Sequence, residues 1–199
     1  MLYFATTNTH KVEELNTFLT ARSIDLEIQS ASVLGERPAV KETADSFEGN
    51  ARLKAEALWQ MVSPKDWVIA DDSGLEVDAL DGEPGVYSAR YAGEGATDVS
   101  NNTKLLKELS RFGSSKRTAR FVCCLVLLGP KGDHSFKGTC EGRITDQSLG
   151  SHGFGYDPLF IPKGYQQTFA ELGLAVKNTL SHRARALVQL VDWLKKHSV

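Results

Sequence analysis

Several features that often settle a protein's class are scarce in this sequence. Only three of its 199 residues are cysteines, and two of them, Cys123 and Cys124, are adjacent inside an apolar run. A disulfide framework and a spaced zinc site are therefore excluded, and buried thiols of a cytoplasmic protein are expected. No apolar run is long enough to span a bilayer, and Met1-Leu2-Tyr3-Phe4-Ala5 has no basic flank before the chain turns polar at Thr6. Neither a membrane span nor a secretory signal is expected. Excess charge of one sign is missing too. The 23 basic and 25 acidic residues leave a net −2, which gives no global attraction for nucleic acid or an anionic membrane, so any polyanion must be bound locally. No Walker A pattern G-x-x-x-x-G-K-[ST] occurs, nor any internal repeat or low-complexity segment.

What is present is enough apolar sequence, 41% of the chain, for one sizeable core or two lobes sharing a sheet. A single domain over residues 1–199 is expected. Residues 2–6 read as a buried strand, and Val12, Leu15, Phe18 and Leu19 give residues 9–20 helical spacing. A second strand is expected near 26–28, followed by a polar loop over 35–44. Ser46 caps a helix bearing Phe47, Ala51, Leu58, Met61 and Val62, ended by Pro64. Residues 67–70 read as a short buried strand running into an acidic turn, Asp71-Asp72-Ser73-Gly74. An irregular glycine-bearing loop over 81–95 precedes a polar helix over 98–111. Residues 118–128 and 135–144 form a hairpin across Gly129-Pro130-Lys131-Gly132, and a Ser181-capped helix carrying Leu187, Leu190, Val191 and Leu194 ends the pattern.

Four segments carry possible chemistry. In Thr6-Thr7-Asn8-Thr9-His10-Lys11 a strand end meets a helix start, where free backbone N–H groups and the positive end of the helix dipole suit phosphate. Taken alone, the same residues also make an ordinary N-capped helix with a solvated lysine. Asp71 and Asp72 offer oxygen ligands to a hard cation such as Mg²⁺, with Glu42 as a further ligand. Adjacent strand residues point to opposite sides, so one carboxylate at a time faces a given site, and a solvated turn is the plain alternative. In Gly150-Ser151-His152-Gly153-Phe154-Gly155-Tyr156-Asp157-Pro158 the glycines permit close backbone approach and an aromatic ring between them can stack on a base. That segment lacks the G-x-G-x-x-G spacing, and inward-packed aromatics on a tight turn would also explain it. Lys177-Asn178-Thr179-Leu180-Ser181-His182-Arg183 gathers cations and a histidine around a helix start, with Lys54 as a possible companion. Cations there oppose the helix dipole, so an anion would make sense of them, although exposed Lys and Arg are common in any protein.

Together these segments resemble the inosine triphosphate pyrophosphatase family nearly end to end. The resemblance is carried by Ala5-Thr6-Thr7-Asn8-Thr9-His10-Lys11, Ser46-Phe47-Glu48-Gly49-Asn50-Ala51, Ala70-Asp71-Asp72-Ser73-Gly74-Leu75, Gly85-Val86-Tyr87-Ser88-Ala89-Arg90-Tyr91, Gly153-Phe154-Gly155-Tyr156-Asp157-Pro158 and Ser181-His182-Arg183, in that order. Thr7 stands where the family commonly has glycine, and no role attaches to His152. The resemblance implies an α/β fold with an elongated mixed β-sheet flanked by helices, two lobes with a central substrate cleft, and a homodimer. It also implies hydrolysis of non-standard purine nucleoside triphosphates, such as inosine, deoxyinosine or xanthosine triphosphate, to the monophosphate and pyrophosphate.

By the same resemblance, Glu42 and Asp72 hold Mg²⁺ and Asp72 orients or deprotonates the attacking water, with Asp71 in support. Lys11, Lys54 and Lys177 bind phosphate, with Thr6, Asn8 and Ser73 adding hydrogen bonds. Thr7, Thr9 and His10 complete that first segment. Phe154 stacks on the purine, within a substrate-binding loop that includes Gly155, Tyr156 and Asp157. His182 and Arg183 meet the 6-oxo group. Two other readings stay open on the residues alone: hydrolysis of other modified or ordinary nucleotides, and a non-catalytic nucleotide-binding module.

Overall fold

The fold is described from a computed structural model, which covers residues 1–6, 9–24, 26, 28–35 and 40–197. Six strands form one mixed sheet in the order β2-β1-β3-β4-β5-β6. They are β1 (Leu2–Phe4), β2 (Ile28–Ser30), β3 (Trp67–Val77), β4 (Thr118–Gly129), β5 (Gly132–Ile144) and β6 (Phe160–Pro162). The helices are α1 (Thr9–Thr20), α2 (Phe47–Trp59), α3 (Asp98–Leu109), α4 (Phe169–Leu180) and α5 (His182–His197), with short 3-10 turns between elements. The chain divides into two compact units. The first comprises Met1–Asp72, Cys123–Lys137 and Ala186–Val199; the second comprises Ser73–Val122 and Gly138–Arg185.

In the first unit β1 lies parallel to both neighbours, with Leu2 opposite Ile28 on β2 and Trp67 on β3. Side chains alternate across a strand, and here both faces are covered. Trp67, Ile69, Cys123, Leu125 and Leu127 pack in one core with Leu15 and Leu19 of α1 and Leu187, Leu190 and Leu194 of α5. Their strand neighbours Val68, Ala70, Val126 and Leu128 pack in another with Ala51, Ala55 and Leu58 of α2. That two-sided burial is why residues 67–70 and 122–128 are apolar without alternation.

The second unit has one main core. Leu75, Val77, Ala119, Phe121, Cys140 and Ile144 from the strands meet Leu105 and Leu109 of α3 and an aromatic group of Tyr156, Phe160 and Phe169. The other strand face carries charge: Arg120 pairs with Glu76, Asp78 and Glu141. β6 runs antiparallel to β5, with Gly142 opposite Pro162.

Several boundaries differ from the sequence expectations. The second strand begins at Ile28, and α2 ends at Trp59, before Met61 and Val62. β3 does not stop at Ala70, because Asp71, Asp72 and Ser73 continue the strand to Val77. Turn-forming residues are held extended there by partners elsewhere in the chain. Asp71 and Asp72 bind lysines, and the Leu75 N–H donates to Ser88 Oγ at 2.9 Å. α4 and β6 are additions. Thr168 and Glu171 cap α4 reciprocally, and Ser181 Oγ accepts from the Ala184 N–H at 3.2 Å at the start of α5.

Candidate active site

Strand alternation decides what Asp71 and Asp72 do. Asp71 follows Trp67 and Ile69 on the α1 side of the sheet, where Lys11 Nζ donates to both carboxylate oxygens at 2.9 and 2.8 Å. Asp71 is almost fully buried. Asp72 follows Val68 and Ala70 on the α2 side and accepts from Lys54 Nζ at 2.7 Å. The same ammonium reaches Glu42 Oε1 at 3.3 Å. The lysine is therefore shared by two carboxylates, so that Glu42, Lys54 and Asp72 come together. Nearby Asn50 of α2 is buried, and its Oδ1 accepts from the Ala44 N–H at 3.0 Å, tying down the chain that carries Glu42.

Electrostatics at this cluster are uneven. Burial pushes the Asp72 carboxyl above the ordinary carboxylate value, and repulsion from Glu42 and Asp71 adds to this, against the pull of Lys54. Burial lowers Lys54, but attraction to Asp72, the hydrogen bond to it, and the charges of Asp71 and Glu42 outweigh that, leaving the ammonium above the ordinary lysine value. One cation serving several carboxylates accounts for both directions: the lysine gains from each of them, while each carboxylate also feels the others.

A cavity in the second unit is lined by Ser73, Phe121, Phe154, Lys177, His182 and Arg183 among others. Phe154 stands 60% exposed. Lys177 is buried, hydrogen-bonded to the Asp157 carboxylate, and its Nζ lies 4.0 Å from the centre of the Phe154 ring. Lys177, expected with Lys11 and Lys54 at the phosphates, has Asp157 and an aromatic face as its partners. It also sits in the last turn of α4, where a cation complements the helix dipole, and not at the start of α5.

Asp157 Oδ2 also accepts from the Phe154 N–H at 3.0 Å. A side chain at Gly153 would put its Cβ 2.1 Å from that oxygen, on a backbone with φ of +81°, so glycine is required there. Tyr156 turns into the core and donates its hydroxyl to the Ser88 carbonyl at 2.8 Å; burial pushes its phenol upward. Tyr156 and Asp157, expected at the substrate, line this cavity and also hold the loop through these bonds. The His182 ring stacks on Phe121, with centroids 4.9 Å apart and planes 13° from parallel.

Thr7 and Asn8 lie outside the described residues, as do the side chains of Thr9 and His10. Thr6 is half-buried, and its carbonyl accepts from Ser30 Oγ at 3.0 Å. Sequence reasoning missed Asp98 and Asn102 of α3, which grip Gly155, and Asn101, whose side chain accepts from the Ala92 N–H and donates to the Ala89 carbonyl. Their only sequence signal is amide and carboxylate residues on an otherwise ordinary polar helix.

Known proteins resemble the chain over nearly its whole length. A model of the Ham1 family matches residues 2–193. A protein of Opitutus terrae named dITP/XTP pyrophosphatase is 46% identical over 197 residues, covering 96% of this chain and 97% of its own. One of the same name from Oceanobacillus iheyensis is 48% identical, covering 96% and 95%. The structure of the Staphylococcus aureus Ham1 protein superposes with a TM-score of 0.90 at 41% identity, covering 98% of each chain.

Proposed function

Because the chain belongs to the Ham1 family, we propose that it hydrolyses non-standard purine nucleoside triphosphates, deoxyinosine and xanthosine triphosphates among them, to the nucleoside monophosphate and pyrophosphate. The names of its relatives support the substrate class. The observation that carries the chemistry is Asp72, a largely buried carboxylate sharing Lys54 with Glu42. The reading assigns the polyphosphate to this cluster, and base stacking to Phe154.

Among the described residues no three His, Cys, Asp or Glu side chains form a ready-made metal cluster. The donor set still suits a hard divalent cation: the Lys54 ammonium already stands as a cation against Asp72 Oδ1 and Glu42 Oε1, and Mg²⁺ commonly takes one or two carboxylates, completing its shell with water and phosphate oxygens. When bound, such an ion supplies charge neutralisation at the phosphates.

The chain's own residues do the rest. Asp72 accepts a proton from the water that attacks the α-phosphorus, the bond from that phosphorus to the bridging oxygen breaks, and pyrophosphate leaves intact. A base above the ordinary carboxylate value is better matched to this task near neutral pH. Lys11 and Lys54 give point charges to phosphate oxygens. Phe154 stacks on the purine, while His182 and Arg183 face its 6-oxo group. Adenine carries an amino donor at that position and would leave buried donors unmatched, a large penalty. In this reading the protein acts on the cytoplasmic nucleotide pool as a homodimer, and exposed Tyr87 and Val99 in the second unit suit a surface that a second copy covers.

The test is a panel of nucleoside triphosphates with pyrophosphate detection, run with and without Mg²⁺. Pyrophosphate from inosine and xanthosine triphosphates, far ahead of ATP, is expected. Orthophosphate as the first product, or equal kcat/KM for ATP and inosine triphosphate, would sink the reading.

A further inference from the structure

Phe154 poses a mechanical problem. Its ring is 60% exposed, so no core packing fixes its direction, and it sits between Gly153 and Gly155, whose φ values are +81° and +61°. A platform of this kind needs its backbone held from outside the loop.

We propose that Asp98 and Asn102 of α3 are positioning residues for the base: acting as a pair, they fix the peptide groups that follow Phe154 and so set the aromatic face on which the purine stacks. The proposal rests on the role of Phe154 in the function proposed above. Asp98 and Asn102 are four residues apart on a helix and project from one face. Asp98 Oδ2 accepts from the Gly155 N–H at 2.6 Å, and Asn102 Nδ2 donates to the Gly155 carbonyl at 3.0 Å. Both polar backbone groups of one glycine are thus taken by one helix, while Asp157 holds the N–H of Phe154 itself.

An acid in the first turn suits the dipole of α3, but the helix does not need Asp98 to close its N-terminus, and it does not explain Asn102. That N-terminus is already closed by the reciprocal cap between Thr97 and Ser100, so Asp98 is not required as a cap. Asp98 is exposed and lines the cavity. Asn102 is 8% exposed, and its Oδ1 has no hydrogen-bond partner among the described residues. A buried acceptor left unmatched is costly, and an apolar side chain would suit the fold better at that position. What Asn102 supplies in return is its grip on Gly155.

The experiment measures steady-state hydrolysis of deoxyinosine triphosphate by Asp98→Ala, Asp98→Asn and Asn102→Leu, together with its equilibrium binding to the metal-free proteins. Asp98→Ala should raise both KM and Kd about tenfold, the effect of losing one charge-assisted hydrogen bond, and should lower kcat far less. Asp98→Asn keeps an oxygen that can accept from Gly155 and should remain within about threefold of the parent. In a Phe154→Ala background, Asp98→Ala should add nothing further, because both act through one ring. Unchanged Kd in Asp98→Ala, equal impairment in Asp98→Asn, or full additivity with Phe154→Ala would each overturn the proposal. If the parent released no pyrophosphate from deoxyinosine triphosphate, the proposed function would fall instead, and the Kd series would still decide the role of Asp98. Asn102→Leu keeps the site falsifiable through the other hydrogen bond: a parental Kd in this variant also counts against the pair.

Discussion

Asp71 and Asp72 are chemically alike and adjacent, yet the pleat gives them different lysines. Asp71 is locked to Lys11 through both oxygens, whereas Asp72 shares Lys54 with a competitor. Their asparagine variants should therefore fail differently. Asp72→Asn should lose about 10²–10⁴-fold in kcat, the usual contribution of a general base. Its Tm should stay near the parental value or rise. A carboxyl raised in the folded state contributes stability below its ordinary value and loses it as pH rises through the folded value, and the amide removes that loss. Asp71→Asn should lower stability by about 1–3 kcal/mol, because it strips the charge from a buried, doubly bonded group. Calorimetry and steady-state kinetics on the two variants check the contrast, and matching profiles would refute it. Lys54 restrains Asp72 from rising further. Lys54→Met should thus move the acid limb of the kcat/KM profile to higher pH; a shift to lower pH would contradict the assignment of Asp72 as base.

At the level of elements, stability rests on helices that cover the sheet. Leu190 of α5 is fully buried among Trp67, Leu125 and Leu187 in the first unit, and Leu190→Ala should cost about 2–5 kcal/mol in denaturant unfolding. Thr168→Ala, which removes one half of the cap of α4, should cost about 1 kcal/mol. Much of this architecture was legible. Leucines at helical spacing gave α1 and α5, Ser46 marked the start of α2, and a short turn joined β4 to β5. α4 was missed although Thr168-Phe169-Ala170-Glu171 is a capping box, because Gly173, with a non-helical backbone, interrupts the pattern after it. β6 is three residues long and ends in proline, too little to register as a strand. The candidate site was legible where motifs were contiguous, as at Asp71-Asp72 and around Phe154. The Gly155 anchors and the Lys177–Asp157 pair depend on which distant segments meet, and no local spacing encodes that.

For the molecule as a whole, the two units are interleaved along the chain: it passes between them at Asp72–Ser73, Val122–Cys123, Lys137–Gly138 and Arg185–Ala186. Neither unit is a continuous piece, and the first draws its core from residues as distant as Leu2, Leu125 and Leu194. Under the proposed function the protein should run as a two-chain species in size-exclusion chromatography with light scattering at micromolar concentration. Tyr87→Glu should shift it toward one chain, and an unaltered two-chain mass in that variant would place the contact elsewhere.

β3 carries one further consequence. A strand that is oily on a single side reads its own alignment from that asymmetry, since a slide of one residue turns the wrong side to water. In the first unit β3 has apolar neighbours above and below, so sliding would forfeit little burial there. It would, however, leave one of the two lysines, Lys11 or Lys54, facing Ala70 or Ser73 in place of a carboxylate. The charged residues to which the proposed function assigns the chemistry therefore also serve as the index marks that tell the sheet where to lock.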